Sequence, residues 1–388
     1  MTARRLMRAA VLRAAGEPLR VEDVVLAPPA GGEVLVRVSA AGVCRSDLHL
    51  AEGHLGADRW PIVLGHEGAG VVEAVGEGVE RPTPGDPVAF CFVPSCGSCR
   101  QCRAGHRALC VVAAAASWAG TMLDGTSRLS FPDGGSIQHF NFISCFAERA
   151  VVPAASAVPI SPDLPLRQAA LLGCGAVTGF GAVRNAARVA PGESVCVVGC
   201  GGVGLQVVSA ARMAGADPIV AVDPDASKLE RARERGATSL VQLQGTEAVA
   251  AVRSLVGEGV DHSFEVVGRA DTIRTAFDVL RPGATAIVVG IAPRGVDVSL
   301  PAQEFLSEKG IRGSYYGSGD PARDLAGLVD LASSGVLDLD GVVSHVTDLD
   351  GIEEAFERLR RGEGARTIVT IDPPVAAAPE RSPGRGTS

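Results

Sequence analysis

A chain of 388 residues, 46% hydrophobic and 21% charged, has material for two hydrophobic cores rather than one. Its 36 Lys and Arg stand against 44 Asp and Glu, giving a net charge of −8, and aromatic residues make up only 4%. That balance excludes the basic face and the stacking platforms of a nucleic-acid binder. No stretch approaches the ~18 uninterrupted apolar residues of a membrane span. Ten cysteines in a chain this long leave metal, redox or core roles, not a small disulfide scaffold.

Met1 to Arg8 carries three arginines without the apolar core of a secretory signal, so a cytoplasmic protein with reduced thiols is expected. Ala9–Leu12 reads as the opening of a strand. From Val21 to about Val152, short β-type runs (Val34–Val38, Gly70–Val75, Val88–Phe92) are cut by Gly and Pro, which predicts a mostly β region with long loops. From about Ala176, strands and helices alternate. Val195–Val198, Ile219–Val222, Leu240–Val241, His262–Val267 and Ala284–Val289 are the strands; Val203–Ala214, Ala226–Arg235, Glu247–Leu255 and Asp271–Leu280 are the helices between them. This alternation predicts an α/β, doubly wound parallel sheet. Two further helical patterns follow Pro321, then a last strand over Arg366–Ile371. Residues 373–388, rich in proline and without apolar period, predict a disordered tail.

The turn Gly199-Cys200-Gly201-Gly202-Val203-Gly204 joins the strand Val195–Val198 to a helix. Gly199 permits a tight turn, Gly201 lets backbone approach a pyrophosphate, and Gly204 allows close helix–strand packing. The helix N-terminus offers free N–H groups to phosphates. Asp223 ends the second strand 19 residues after Gly204, placed to accept both ribose hydroxyls of an adenosine and to repel a 2′-phosphate. NAD rather than NADP is the cofactor expected. Lys228 offers a further ribose contact, with an ordinary surface lysine as the equal alternative.

Cys96-x2-Cys99-x2-Cys102-x7-Cys110 gathers four cysteines within 15 residues of a polar, Arg-rich loop. Four thiolates at such spacing close a tetrahedral structural zinc site; two disulfides and an iron–sulfur cluster are the competing readings. Three further features lie outside this loop: Cys44-Arg45-Ser46-Asp47-Leu48-His49, Gly65-His66-Glu67 and Leu172-Gly173-Cys174-Gly175. Singly each is weak, since a lone His66 is more often structural and a buried Cys174 is usually inert. Together Cys44, His66 and Cys174 supply two thiolates and an imidazole, a three-ligand set that leaves a zinc position open.

In this order the motifs resemble the zinc-dependent alcohol dehydrogenases of the medium-chain dehydrogenase/reductase family, over about Met7 to Asp372. The resemblance implies a mostly β, GroES-like catalytic domain over 1–175 and 320–372, and a Rossmann-type NAD-binding domain over 176–319. It implies that Cys44, His66 and Cys174 bind a catalytic zinc, that Cys96, Cys99, Cys102 and Cys110 bind a structural zinc, and that Glu67 is a carboxylate able to approach the catalytic metal. Two Zn²⁺ per subunit and NAD are the cofactors. Arg45 and Arg366 match positions that hold the pyrophosphate, Val203 and Val289 to Ile291 line the nicotinamide, and Thr178 joins the cofactor contacts. Leu55, Phe92, Phe140 and Asn141 match a substrate channel. Gly120 to Arg128, followed by Ile137 to Phe140, is close to a loop of the dimeric, class III-like branch, so a homodimer joined near Gly310–Gly317 is expected.

The implied reaction is reversible, NAD-linked oxidation of a primary or secondary alcohol by hydride transfer from a zinc-bound alkoxide. Ser46 accepts the proton and passes it through the cofactor ribose to His49. Partners are a small-molecule alcohol or aldehyde, with no nucleic acid and no membrane. Glutathione-dependent formaldehyde dehydrogenases of the family carry an arginine shortly after the last structural-zinc cysteine; here Val111-Val112 and Ala113 to Ala116 follow Cys110. That departure disfavours glutathione adducts and leaves another thiol cosubstrate as the alternative. A non-catalytic NAD- and zinc-binding protein is the remaining rival.

Overall fold

The computed structural model describes residues 4–56 and 59–371, so the tail expected at 373–388 lies outside the described residues. Three sheets organise the chain. Arg5–Leu12, Arg20–Leu26, Leu129–Ser130, Ser136–His139 and Ile62–Val63 close a small barrel. A second sheet orders Ala157–Pro159, Pro87–Phe90, Gly68–Val75, Glu33–Val43, Arg366–Thr370 and Val343–Asp348, with Arg149–Pro153 also on Glu33–Val43. The two C-terminal strands are thus built into the N-terminal sheet, Thr367 opposite Val43 and Thr370 opposite Ala40.

The third sheet is entirely parallel. Its order is Ser239–Val241, Ile219–Val222, Val195–Val198, Val260–Glu265, Leu280–Val288 and Gly310–Gly313, the doubly wound 3-2-1-4-5-6 arrangement expected from the alternating pattern. Every residue of Val195–Val198 and of Ile219–Val222 is buried, which is why those strands read as continuous apolar runs. Strand order reverses between Val195–Val198 and Val260–Glu265, and a ligand crevice forms at such a switch point.

Some elements differ from the expected ones. The strand expected over Val88–Phe92 stops at Phe90, and the helix expected to Leu280 ends at Asp278 because Leu280 pairs with Val260. Arg20–Leu26, Gly310–Gly313 and Val343–Asp348 are additional strands, and the mostly β region also holds the helices Arg45–Ala51 and Val111–Ala119. One helical stretch, Leu166–Ala187, is long and apolar enough by composition to cross a membrane. Its apolar window is 72% buried inside the fold, the setting of a core helix.

Candidate active site

Three chain segments converge where the second sheet meets the parallel one. Glu33–Val43 runs straight into the helix Arg45–Ala51, with Cys44 at its N-cap. His66 lies in the tight connection between Ile62–Val63 and Gly68–Val75. Cys174 sits in a π-helical turn, Leu172–Ala176, inside the long apolar helix. Gly173 makes that turn possible, because a Cβ there would collide with the carbonyl of Phe90.

The ligand-capable atoms of Cys44, His66 and Cys174 lie within 4.8 Å of one another and all three residues are buried. Cys44 Sγ and Cys174 Sγ are 3.8 Å apart, and His66 Nε2 is 3.3 Å from Cys174 Sγ. Zn–S bonds of ~2.3 Å at tetrahedral angles set sulfurs ~3.8 Å apart, so the donor set fits zinc in both chemistry and spacing. Asp47, absent from the residues expected at the site, holds this set in place. Its Oδ2 accepts the Cys44 backbone N–H (3.2 Å), and its Oδ1 accepts the Gly65 N–H (3.0 Å) and faces His66 Nδ1 at 3.1 Å. A hydrogen on His66 Nδ1, donated to Asp47, leaves Nε2 free as a ligand.

Electrostatics in the centre are coupled. The hydrogen bond from the Cys174 thiol puts Cys44 well below the ordinary thiol range against the effect of burial, and the same bond plus burial pushes Cys174 well above it. Burial opposes a charge on His66, yet the charge and hydrogen bond of Asp47 keep its pKa well above the usual imidazole value. Glu67 is fully buried and its carboxyl is pushed up to about 7 by burial, against the pull of Arg366, whose Nη1 is 3.3 Å from Glu67 Oε2. Arg366 also donates to the Val43 carbonyl and lies over Gly202, where a Cβ would approach its Nε to 2.6 Å. One guanidinium therefore bridges the ligand centre and the glycine-rich turn.

The four loop cysteines also cluster, their sulfurs within 4.8 Å of one another, with Cys96 Sγ and Cys102 Sγ 4.0 Å apart and no disulfide among them. Backbone N–H groups point at sulfur: Cys99 N to Cys96 Sγ and Cys96 N to Cys110 Sγ, each 3.3 Å. N–H bonds from Cys99 and Ser98 lower the Cys96 thiol to about 6, whereas burial drives Cys102 to about 12. Four sulfurs at this spacing, with N–H donors suited to thiolates, fit a closed tetrahedral metal.

Beside the ligand centre opens a cleft of ≈ 460 Å³. It brings together Cys44, Arg45, His49, Gly199, Gly201, Gly202, Val203, Asp223, Lys228 and Arg366. Gly199 has φ 99°, a left-handed turn closed to L side chains, and a Cβ on Gly204 would strike the Gly199 carbonyl. A Cβ on Gly201 would point into open space, so the backbone there is bare to a ligand. Asp223 is held rigidly, accepting from Cys200 N (2.8 Å) and Asp225 N (2.9 Å). Lys228 Nζ stands 4.0 Å from Asp225. Turn, helix N-terminus and fixed carboxylate fit a dinucleotide. Thr178 does not line this cleft; Val289 and Ile291 line a second cavity of ≈ 430 Å³ together with Leu109 and Tyr315.

Ser46 Oγ lies 3.3 Å from Cys44 Sγ and 3.1 Å from His66 Nε2, at the ligand centre itself. Phe92 and Phe140 set their rings edge-on to His66 at centroid distances of 5.2 and 5.3 Å. Asn141 adopts φ 50° and accepts from Ser117 Oγ (2.6 Å), so its amide oxygen is engaged with the helix Val111–Ala119. Leu55 is half-buried against the core. Tyr315 and Tyr316, not expected here, complete the aromatic wall, their rings 6.5 and 3.9 Å from Phe92. Their only sequence signal is an aromatic pair beside glycines in a chain poor in aromatics.

Comparison with known proteins agrees with this geometry. Residues 30–162 match the family described as alcohol dehydrogenase GroES-like domain, and residues 202–334 match that described as zinc-binding dehydrogenase. The S-(hydroxymethyl)glutathione dehydrogenase of Synechocystis sp. is 37% identical over 365 residues, covering 93% of this chain and 99% of that protein. Among solved structures, an alcohol dehydrogenase zinc-binding domain protein from Burkholderia ambifaria superposes with TM-score 0.90 at 35% identity, covering 95% of this chain and 100% of its own. Benzyl alcohol dehydrogenase from Acinetobacter calcoaceticus superposes with TM-score 0.88 at 32% identity over the same shares.

Proposed function

The chain belongs to the zinc-dependent alcohol dehydrogenases of the medium-chain dehydrogenase/reductase family, and from that premise we propose that Cys44, His66 and Cys174 form its catalytic centre for NAD-linked oxidation of a small primary or secondary alcohol. The observation that carries the assignment is the convergence of these three donors from distant segments, with Ser46 in contact with two of them and the dinucleotide-type cleft reaching Cys44.

When bound, zinc supplies the Lewis acidity that makes a substrate hydroxyl acidic near neutral pH, and NAD accepts the hydride. This chain's residues do the rest. Asp47 fixes the His66 tautomer, and Glu67 with Arg366 ties the centre to the cofactor turn. Ser46 takes the substrate's hydroxyl proton, and His49 receives it at the mouth of the cleft. Phe92 and Phe140 exclude water from the reacting carbon, which strengthens every polar interaction there. Gly201, Gly202 and the helix they open bind the pyrophosphate, with Arg45 and Arg366 alongside; Asp223 binds the adenosine ribose and favours NAD over NADP. Cys96, Cys99, Cys102 and Cys110 hold the structural zinc. The units follow: 1–175 with 320–372 catalytic, 176–319 cofactor-binding.

The supporting case for a homodimer is the open edge strand Gly310–Gly313 next to exposed Phe305 and Leu306. Ten cysteines without a disulfide suit the reducing cytoplasm.

A second reading, oxidation of a hydroxymethyl thiol adduct, draws on the relative's activity. Against glutathione as the thiol stands the helix Val111–Ala119, which carries no arginine. NADH formation from a panel of alcohols, and from formaldehyde with and without glutathione or another small thiol, tests both. Turnover of alcohols without thiol supports the main reading; turnover confined to formaldehyde plus a thiol replaces it with the second.

A further inference from the structure

Two histidines meet at the mouth of the cofactor cleft. His49 belongs to the helix Arg45–Ala51 and His54 follows in the turn after it. Their Nδ1 atoms are 3.2 Å apart, their ring centroids 5.5 Å, and both residues line the cleft. Two imidazole nitrogens at that distance hold a single hydrogen between them, one donating and the other accepting. The Nε2 atoms of both rings have no hydrogen-bond partner among the described residues, so each ring is engaged on one side and open on the other. The His54 side chain is 43% exposed.

We propose that His54 is the outer station of the proton path, taking from His49 the proton released by the alcohol and delivering it to water. The inference rests on the alcohol dehydrogenase reading above. A proton arriving at His49 Nε2 lets the Nδ1 proton pass to His54 Nδ1, and His54 then loses its Nε2 proton to solvent. Exchange with water restores the starting tautomers. N–H bonds form and break within the pair, an O–H bond forms on the water that accepts the departing proton, and no change of oxidation state occurs.

The surroundings favour outward movement. Burial, Arg45 and His54 itself hold the His49 pKa below the usual imidazole value, so a proton does not rest there. Glu52 Oε2 lies 3.4 Å from His54 Nδ1 and offers a counter-charge to an imidazolium; Glu52 is in turn 3.5 Å from Arg360. Arg294 approaches from the other side, donating its backbone N–H to the His54 carbonyl and packing its side chain by Gly56. His54 acts through His49, so it is a positioning residue, not one that touches substrate.

The test compares wild type, H54Q and H54A as full-length, zinc-loaded enzyme. kcat for alcohol oxidation is followed against pH with and without imidazole in the buffer, and histidine side-chain ¹⁵N shifts are recorded for wild type and H54Q without cofactor. The expected result is a loss in kcat of about tenfold near neutral pH with KM unchanged, smaller than the hundredfold or more of a direct general base. Imidazole restores H54A, and the His49 Nδ1 resonance moves in H54Q. An active wild type whose pH profile H54Q leaves unchanged overturns the relay alone, as does an unmoved His49 resonance. A wild type that forms no NADH with any alcohol or adduct overturns the dehydrogenase reading, and the relay with it.

Discussion

At the scale of single residues, the proposed ligands differ from their supporters in how they show in a sequence. Cys44, His66 and Cys174 stand out because thiol and imidazole are the side chains that zinc selects. Asp47 does not, since an aspartate three residues into a helix reads as ordinary N-terminal capping, and only the folded chain reveals that its second oxygen grips Gly65 and His66. D47A should weaken the catalytic metal by ~10–100-fold, the usual cost of losing such an orienting partner. Chelator competition on the purified variant measures this, with the metal of the four-cysteine loop retained as internal control. His49 predicts the pH response. Protonated His49 accepts nothing, so kcat rises with pH through its lowered pKa and is lost below it. H49Q should flatten that acid limb; an identical pH profile in the variant contradicts the assigned role.

Elements were legible wherever both faces of a strand are buried or a turn carries glycines. Val195–Val198, Ile219–Val222 and the Gly199 turn are read from apolar runs and φ demands alone. Val343–Asp348 escapes, because none of its positions is buried and its pairing partner is the distant strand Arg366–Thr370. The π turn around Cys174 is invisible for a similar reason: its cause is the approach of Phe90 to Gly173, a tertiary contact. One prediction belongs to the junction of barrel and sheet. Glu33, at the head of its strand, meets Arg128 through two bonds of 2.8 Å, and both are buried. R128A strands that carboxylate and should cost ~3–5 kcal/mol of stability. Asp124, bonded to the same arginine, titrates at about 2. A carboxyl lowered in the folded state stabilises above its unfolded pKa and loses that contribution as pH falls through its folded one. The contribution of Asp124 is therefore complete above about pH 4 and fades toward pH 2. Thermal melts of wild type and R128A over this range check both statements.

At the scale of the whole molecule, the site exists only because the chain returns. Arg366 comes from the last strand, pairs with Glu67 from the connection leading into Gly68–Val75 and lies over Gly202 of the glycine-rich turn. Neither hydrophobic pattern nor local spacing reports such a return; a family likeness does. The open edge at Gly310–Gly313 carries the quaternary prediction. Leu306, 85% exposed, should be covered by a second copy, so L306D should sediment as a folded monomer where wild type sediments as a dimer. The central claim is that two metal centres are held by two separate ligand sets, only one of them catalytic. Zinc per chain, determined side by side for wild type and C174A, tests it most directly. Two zincs in wild type, and one in a folded C174A that forms no NADH, is the result expected; a single zinc or none in wild type, or two in C174A, would contradict it.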